Sequence, residues 1–162
     1  MPTVVADAGP LHYLVLIETE AVLPRLFGRV LIPEMVAAEL NRPATPARVR
    51  QWLVQNPNWL ERQPGSPTQG SPSRTRDAGE RAAIELAQTV GATLLLIDDR
   101  AGDDAAQARG LKTIGTLGIL VQAAQLGLVE LEGAFAKLRK TNFRYRPELL
   151  DALLAQHEAK KP

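Results

Sequence analysis

The chain has 162 residues, 45% hydrophobic and 23% charged, the balance of one soluble globular domain with its own core. It has no cysteine, which excludes disulfides, thiolate metal sites and cysteine nucleophiles, and its two histidines, His12 and His157, argue against a histidine-rich zinc site. The net charge of +1 implies no polyanion partner by itself, although 18 acids gathered in one place would leave the remaining surface more basic than the total suggests.

The N-terminus passes from "MPT" into a short apolar run with no basic region or cleavage site, so no signal peptide is expected. No run nears the ~20 apolar residues that span a bilayer, and a cytoplasmic protein with no membrane partner is expected. The first strand is "TVVA" (3–6), ending directly in Asp7. Residues 10–27 carry a helical pattern, read as two helices, with His12 as a packing residue rather than a ligand. A second strand, "RVLI" (29–32), leads into a helix at 33–41. There Glu39 lies at the border of the apolar face and Glu34 points away from it. A helix at 45–55 and a short strand near "WLER" (59–62) follow.

Residues 62–77, "RQPGSPTQGSPSRTRD", are rich in Pro, Gly, Ser and Thr and read as a mobile loop within one domain spanning 1–162. The helix at 77–90 places Glu80 four residues before Ile84 and seven before Ala87, on the stripe of its core residues. An acid there costs free energy unless it is paired or binds a cation. "TLLLI" (93–97) is the next strand and ends in Asp98-Asp99. Either of these acids could cap the helix at 100–109, a common role for Asp. Asp103 and Asp104 belong to that helix's first turn. "LKTI" (111–114) is the last strand of the pattern. Thr116 follows it, its hydroxyl capping the next helix or bonding a metal-bound water. Helices at 117–126, 130–140 and 147–158 complete the chain, residues 130–162 forming a basic helical C-terminal extension with a frayed "EAKKP" tail. The basic clusters "KLRK" and "FRYR" read first as solvated helix faces.

Continuous apolar strands alternating with helices describe a three-layer α/β/α sandwich around a parallel sheet of four to five strands. Ligands of such sheets bind beyond the carboxyl ends of the strands. Asp7 and Asp98-Asp99 sit at two such ends, 91 positions apart from Asp7 to Asp98. With Glu39 and Glu80 they form a set of inward or strand-end acids that suits a hard divalent cation, Mg²⁺ or Mn²⁺. A cation also turns the repulsion between Asp98 and Asp99 into coordination. No GxxxxGK[ST], GxGxxG or DxD motif is present, which argues against nucleotide-loop enzymes and aspartyl-phosphate phosphatases.

The pieces "VVADAGPLHYL", "LFGRVLIPEMVAAEL", "GERAAIELA", "LLLIDDRAG" and "GLKTIGTLGIL" together resemble the PIN-domain family of Mg²⁺-dependent ribonucleases. The likeness runs through residues 3–127 and more loosely into "FRYRPELLDALL". It implies an endoribonuclease whose metal is held by Asp7, Glu39, Glu80 and either Asp98 or Asp99, with a metal-activated water attacking phosphorus. Arg74, Arg76 and the basic C-terminal third would steer the RNA backbone. Many relatives are VapC-type toxins that dimerise and are restrained by a cognate antitoxin, and the resemblance permits that role. The apolar helices at 10–27 and 45–55 are the expected homodimer face or, equally, core. One departure stands out: the family often has Ser, Thr or Asn within two residues of the first Asp, and here Ala8 and Gly9 follow it. A PIN-like module that binds RNA or protein without cleaving it is the alternative function. A signalling receiver is the third, disfavoured because its acidic pair would follow strand one.

Overall fold

The computed structural model describes residues 2–64 and 78–160. Five parallel strands form one sheet: β1 (Val4–Ala6), β2 (Val30–Pro33), β3 (Leu60–Gln63), β4 (Leu94–Leu96) and β5 (Thr113–Ile114). Their order is β3-β2-β1-β4-β5, so the chain starts in the middle of the sheet and builds outward in both directions. Val4 pairs with Val30 on one side and with Leu94 on the other.

Side chains alternate between the faces of a strand. Val4, Val5 and Ala6 are all 0–1% exposed, so both faces of β1 are covered. That is why these strands read as unbroken apolar runs rather than alternating ones. The helices packed around the sheet are α1 (Ala8–Leu16), α2 (Val22–Phe27), α3 (Glu34–Leu40), α4 (Ala47–Gln55), α5 (Ala78–Val90), α6 (Arg100–Ala108), α7 (Thr116–Gln125), α8 (Leu131–Arg139) and α9 (Pro147–Lys160). The α/β sandwich expected from the alternating pattern is the observed fold, with the "WLER" segment as its fifth strand.

Differences from expectation are local and have physical causes. Helix α9 runs to Lys160, and Lys161 and Pro162 of the tail lie outside the described residues. Leu150 is fully buried, and Leu153 and Leu154 pack on the core, which anchors the first half of α9. "FRYR" is not part of a helix: residues 143–146 carry no regular secondary structure and link α8 to α9. The apolar residues of the expected dimer face, among them Leu11, Leu14, Leu23, Val49 and Leu53, are buried in the core of the single chain. Residues 65–77 of the expected loop, with Arg74 and Arg76, lie outside the described residues. Among the described residues no helix is long and apolar enough to cross a membrane.

Candidate functional site

The carboxyl ends of β1 and β4 lie side by side at the centre of the sheet, because Ala6 pairs with Leu96. The residues that follow are therefore neighbours: Asp7 after β1, Asp98 two positions after β4. The Asp7 N–H donates to Leu96 O at 2.8 Å, extending the ladder to the first acid.

Asp7 is 8% exposed, and its Oδ1 is buried without a hydrogen-bond partner. Its carboxyl is pushed up to about 7, first by burial and then by the charges of Glu39, Asp98 and Asp99, against a lowering bond from the Ala8 backbone. The charges thus place three other acids close to Asp7. Glu39, on α3, is also raised, mainly by burial, with Arg42 opposing at an Nη2–Oε1 distance of 3.9 Å.

Asp98 and Asp99 have separate roles in the fold. Asp99 is the exposed N-cap of α6, with its Oδ2 accepting from the Gly102 N–H at 3.0 Å. Asp98 points to the start of α7. Its Oδ1 accepts from the Thr116 N–H and its Oδ2 from the Thr116 hydroxyl, both at 2.7 Å. Burial raises the Asp98 pKa and the Thr116 bonds lower it. Thr116 is itself fully buried. Its hydroxyl does not cap α7, whose N-cap is Gly115 with no side-chain bond. It holds Asp98 instead.

Glycines let backbone approach these carboxylates. A methyl group on Gly79 would lie 3.5 Å from Glu39 Oε1, and one on Gly9 would lie 3.2 Å from Asp98 Oδ2. Gly9 is one of the two residues where a hydroxyl or amide was expected. The close approach to Asp98 gives its smallness a use. On Gly102 a methyl would come within 2.7 Å of Glu80 Oε1, so the start of α6 abuts Glu80 on α5. At Gly115 it would stand 2.7 Å from Asp98 Oδ1 and 3.3 Å from Ile97 O. The φ of −102° suits any residue, so the conflict is purely one of space. Gly115→Ala is expected to lower stability by about 1–3 kcal/mol, the usual range for overpacking. Chemical denaturation of the metal-free protein would measure it, and an unchanged midpoint would refute the contact.

Other expected candidates are accounted for by local structure. Asp103 accepts from the side chains of Gln107 and Thr113. His12 is half-buried against the Tyr13 ring at 4.7 Å, and burial lowers its pKa. Tyr13 had been passed over in the sequence. Its pKa is raised by burial and by Asp98, while Arg144 lowers it. The signal was its position six residues after Asp7, on the helix that Asp7 starts.

Among the described residues no group of three or more His, Cys, Asp and Glu side chains stands ready to hold a metal ion. Mg²⁺ commonly uses one or two protein carboxylates and fills its shell with water and substrate phosphate. A buried, unpartnered carboxylate oxygen beside further acids fits such a hard cation by donor chemistry. A family model described as a PIN domain matches residues 3–159. No curated protein matches the chain.

Proposed function

Since the chain belongs to the PIN-domain family, whose members are generally nucleases, we propose that it is a Mg²⁺- or Mn²⁺-dependent endoribonuclease. The observation that carries this reading is Asp7: a buried carboxylate with an unpartnered oxygen, pushed up by burial and, to a smaller degree, by the charges of Glu39, Asp98 and Asp99. Asp7, Glu39, Glu80 and Asp98 would hold the cation. Asp99 is the weaker candidate because it is exposed and turns its Oδ2 to the α6 amides, away from the half-buried Asp98. A bound cation supplies Lewis acidity at a phosphodiester oxygen and lowers the pKa of an attacking water.

The protein's own residues prepare that chemistry. Thr116 fixes both oxygens of Asp98, so this carboxylate needs little reorganisation on binding. Asp7, titrating near 7, must lose its proton before it can act as a ligand. Binding therefore releases protons and tightens as pH rises. Calorimetric titration of Mn²⁺ into EDTA-stripped protein is expected to show saturable binding, stronger at pH 8 than at pH 6. No saturable binding at either pH would sink the reading.

The toxin role and a restraining antitoxin rest on the motif resemblance alone. A second reading, a PIN-like module that binds RNA without cleaving it, draws support from the lack of a ready three-acid group among the described residues. RNA binding without turnover, insensitive to EDTA, would favour it.

A further inference from the structure

Beside Asp98 opens a cavity of about 680 Å³. Its lining joins Arg100 from the start of α6, Leu117 from the first turn of α7, and Arg144, Tyr145 and Arg146 from the link before α9. That volume lies within the range filled by small ligands, enough for a nucleotide or two and far too small for a duplex.

The link is built to present charge. Burial alternates along it. Phe143 and Tyr145 are partly buried against the core, while Arg144 and Arg146 are exposed. The wall is also anchored. The Phe143 ring meets the Tyr13 ring edge-on at 5.0 Å, and the Tyr13 hydroxyl donates to Asn142 Oδ1 at 2.9 Å. Tyr13 belongs to α1, the helix that begins after Asp7, so the arginine wall and the acidic site share one support.

Arg100, Arg144 and Arg146 have no ion-pair partner among the described residues, whereas Arg29, Arg42, Arg48 and Arg139 each pair with an acid. Three guanidinium groups without an ion pair thus line one cavity, with the half-buried Asp98 at its edge, and leave it open to an anionic occupant. An occupant that is anionic at intervals and apolar between them satisfies both the arginines and the Leu117 and Tyr145 walls. Single-stranded nucleic acid has that alternation of phosphate and base.

We propose that this cavity is a subsite for single-stranded RNA, holding nucleotides on one side of the bond that is cut. Arg144 and Arg146 contact phosphates, and Tyr145 and Leu117 face a base. The assignment rests on the nuclease reading for its orientation towards Asp98, but binding at the cavity can be measured without cleavage.

The test is fluorescence anisotropy of a labelled RNA of about ten nucleotides, a length matched to common single-strand site sizes. It uses the full chain in EDTA over a range of salt concentrations. The Arg144→Glu/Arg146→Glu variant is expected to bind about tenfold more weakly, with a salt slope shallower by about 1.4, since each phosphate contact on a single strand contributes about 0.7. Arg144→Gln/Arg146→Gln should show a smaller loss in the same direction, and it supplies the answer if charge reversal disturbs folding. Unchanged affinity and slope in both variants would overturn the subsite. So would tighter binding of polyglutamate than of RNA, which would assign the cavity to an acidic protein segment. The two readings fail separately. If the arginine variants lose RNA while Asp7→Asn still cleaves, the subsite stands and the nuclease site does not. If the arginine variants bind normally while Asp7→Asn is inactive, the reverse holds.

Discussion

Asp7→Asn is expected to abolish RNA cleavage while making the metal-free protein more stable at and above neutral pH. The loss of activity should be on the order of 10³-fold, about 4 kcal/mol of transition-state stabilisation. An amide keeps the shape of the carboxylate but cannot supply the negative charge a divalent cation needs. The gain in stability follows from burial. Asp7 titrates at about 7 in the folded chain against an ordinary value of 3.8, so the folded state holds a proton that the unfolded state has released. Stability tied to that proton is fully present below pH 4 and is lost as pH rises through 7. The gap corresponds to about 4 kcal/mol as an upper figure. Urea denaturation from pH 5 to pH 8 without metal should therefore show a decline in the wild type that Asp7→Asn largely lacks. Saturating Mn²⁺ should restore wild-type stability at pH 8 and leave the variant unmoved. A variant that cleaves RNA at the wild-type rate would remove Asp7 from the site.

Thr116→Val is expected to have the second largest effect, through Asp98. The substitution nearly preserves volume at a fully buried position but deletes the hydroxyl that donates to Asp98 Oδ2. Hydrogen bonds to charged groups contribute about 1.5–3 kcal/mol, so a loss of that size in stability is expected at pH 8. A group that orients a metal ligand typically accounts for about 10–100-fold in affinity or activity. A purely structural role would lower stability without changing the pH profile. Here the Thr116 bonds hold the Asp98 pKa down against burial. Removing the hydroxyl lets that pKa rise, so the acidic limb of the cleavage profile should move to higher pH. Thr116→Ser, which keeps the hydroxyl, should restore both the limb and most of the rate. An unmoved limb in Thr116→Val would assign the residue to packing alone.

The sheet and the neighbourhood of the acids were legible because one rule governs both. Strands covered on both faces must be continuously apolar, and an acid within two residues of the carboxyl end of such a strand lies at the edge where ligands bind. Asp7 and Asp98 obey it, and the register that joins Ala6 to Leu96 makes them neighbours. The choice between Asp98 and Asp99 was not legible. It depends on which carboxylate turns to the α6 amides and which to Thr116, 18 positions further on. "FRYR" was misread for a related reason. Its basic density matches a solvated helix, and only the packing of Phe143 on Tyr13, from the other end of the chain, holds it as the wall of a cavity. Arg100 carried no signal in the sequence, since its role follows from the shape of a cavity.

The pairing of β1 with β4 has a further consequence, for the order of events in folding. Each strand is only three residues long, and closing Val4 onto Leu94 encloses most of the chain between them. Such a long-range parallel contact is slow to form, because loop-closure entropy is lost before burial repays it. A growing or half-folded chain that has made only β1, β2 and β3 holds Asp7 and Glu39 but no Asp98. Its acids then remain too few and too well hydrated to gather a cation. Mn²⁺ added to refolding protein should accordingly leave the folding rate nearly unchanged and slow unfolding instead. The chain thus becomes competent only when the central seam between β1 and β4 closes.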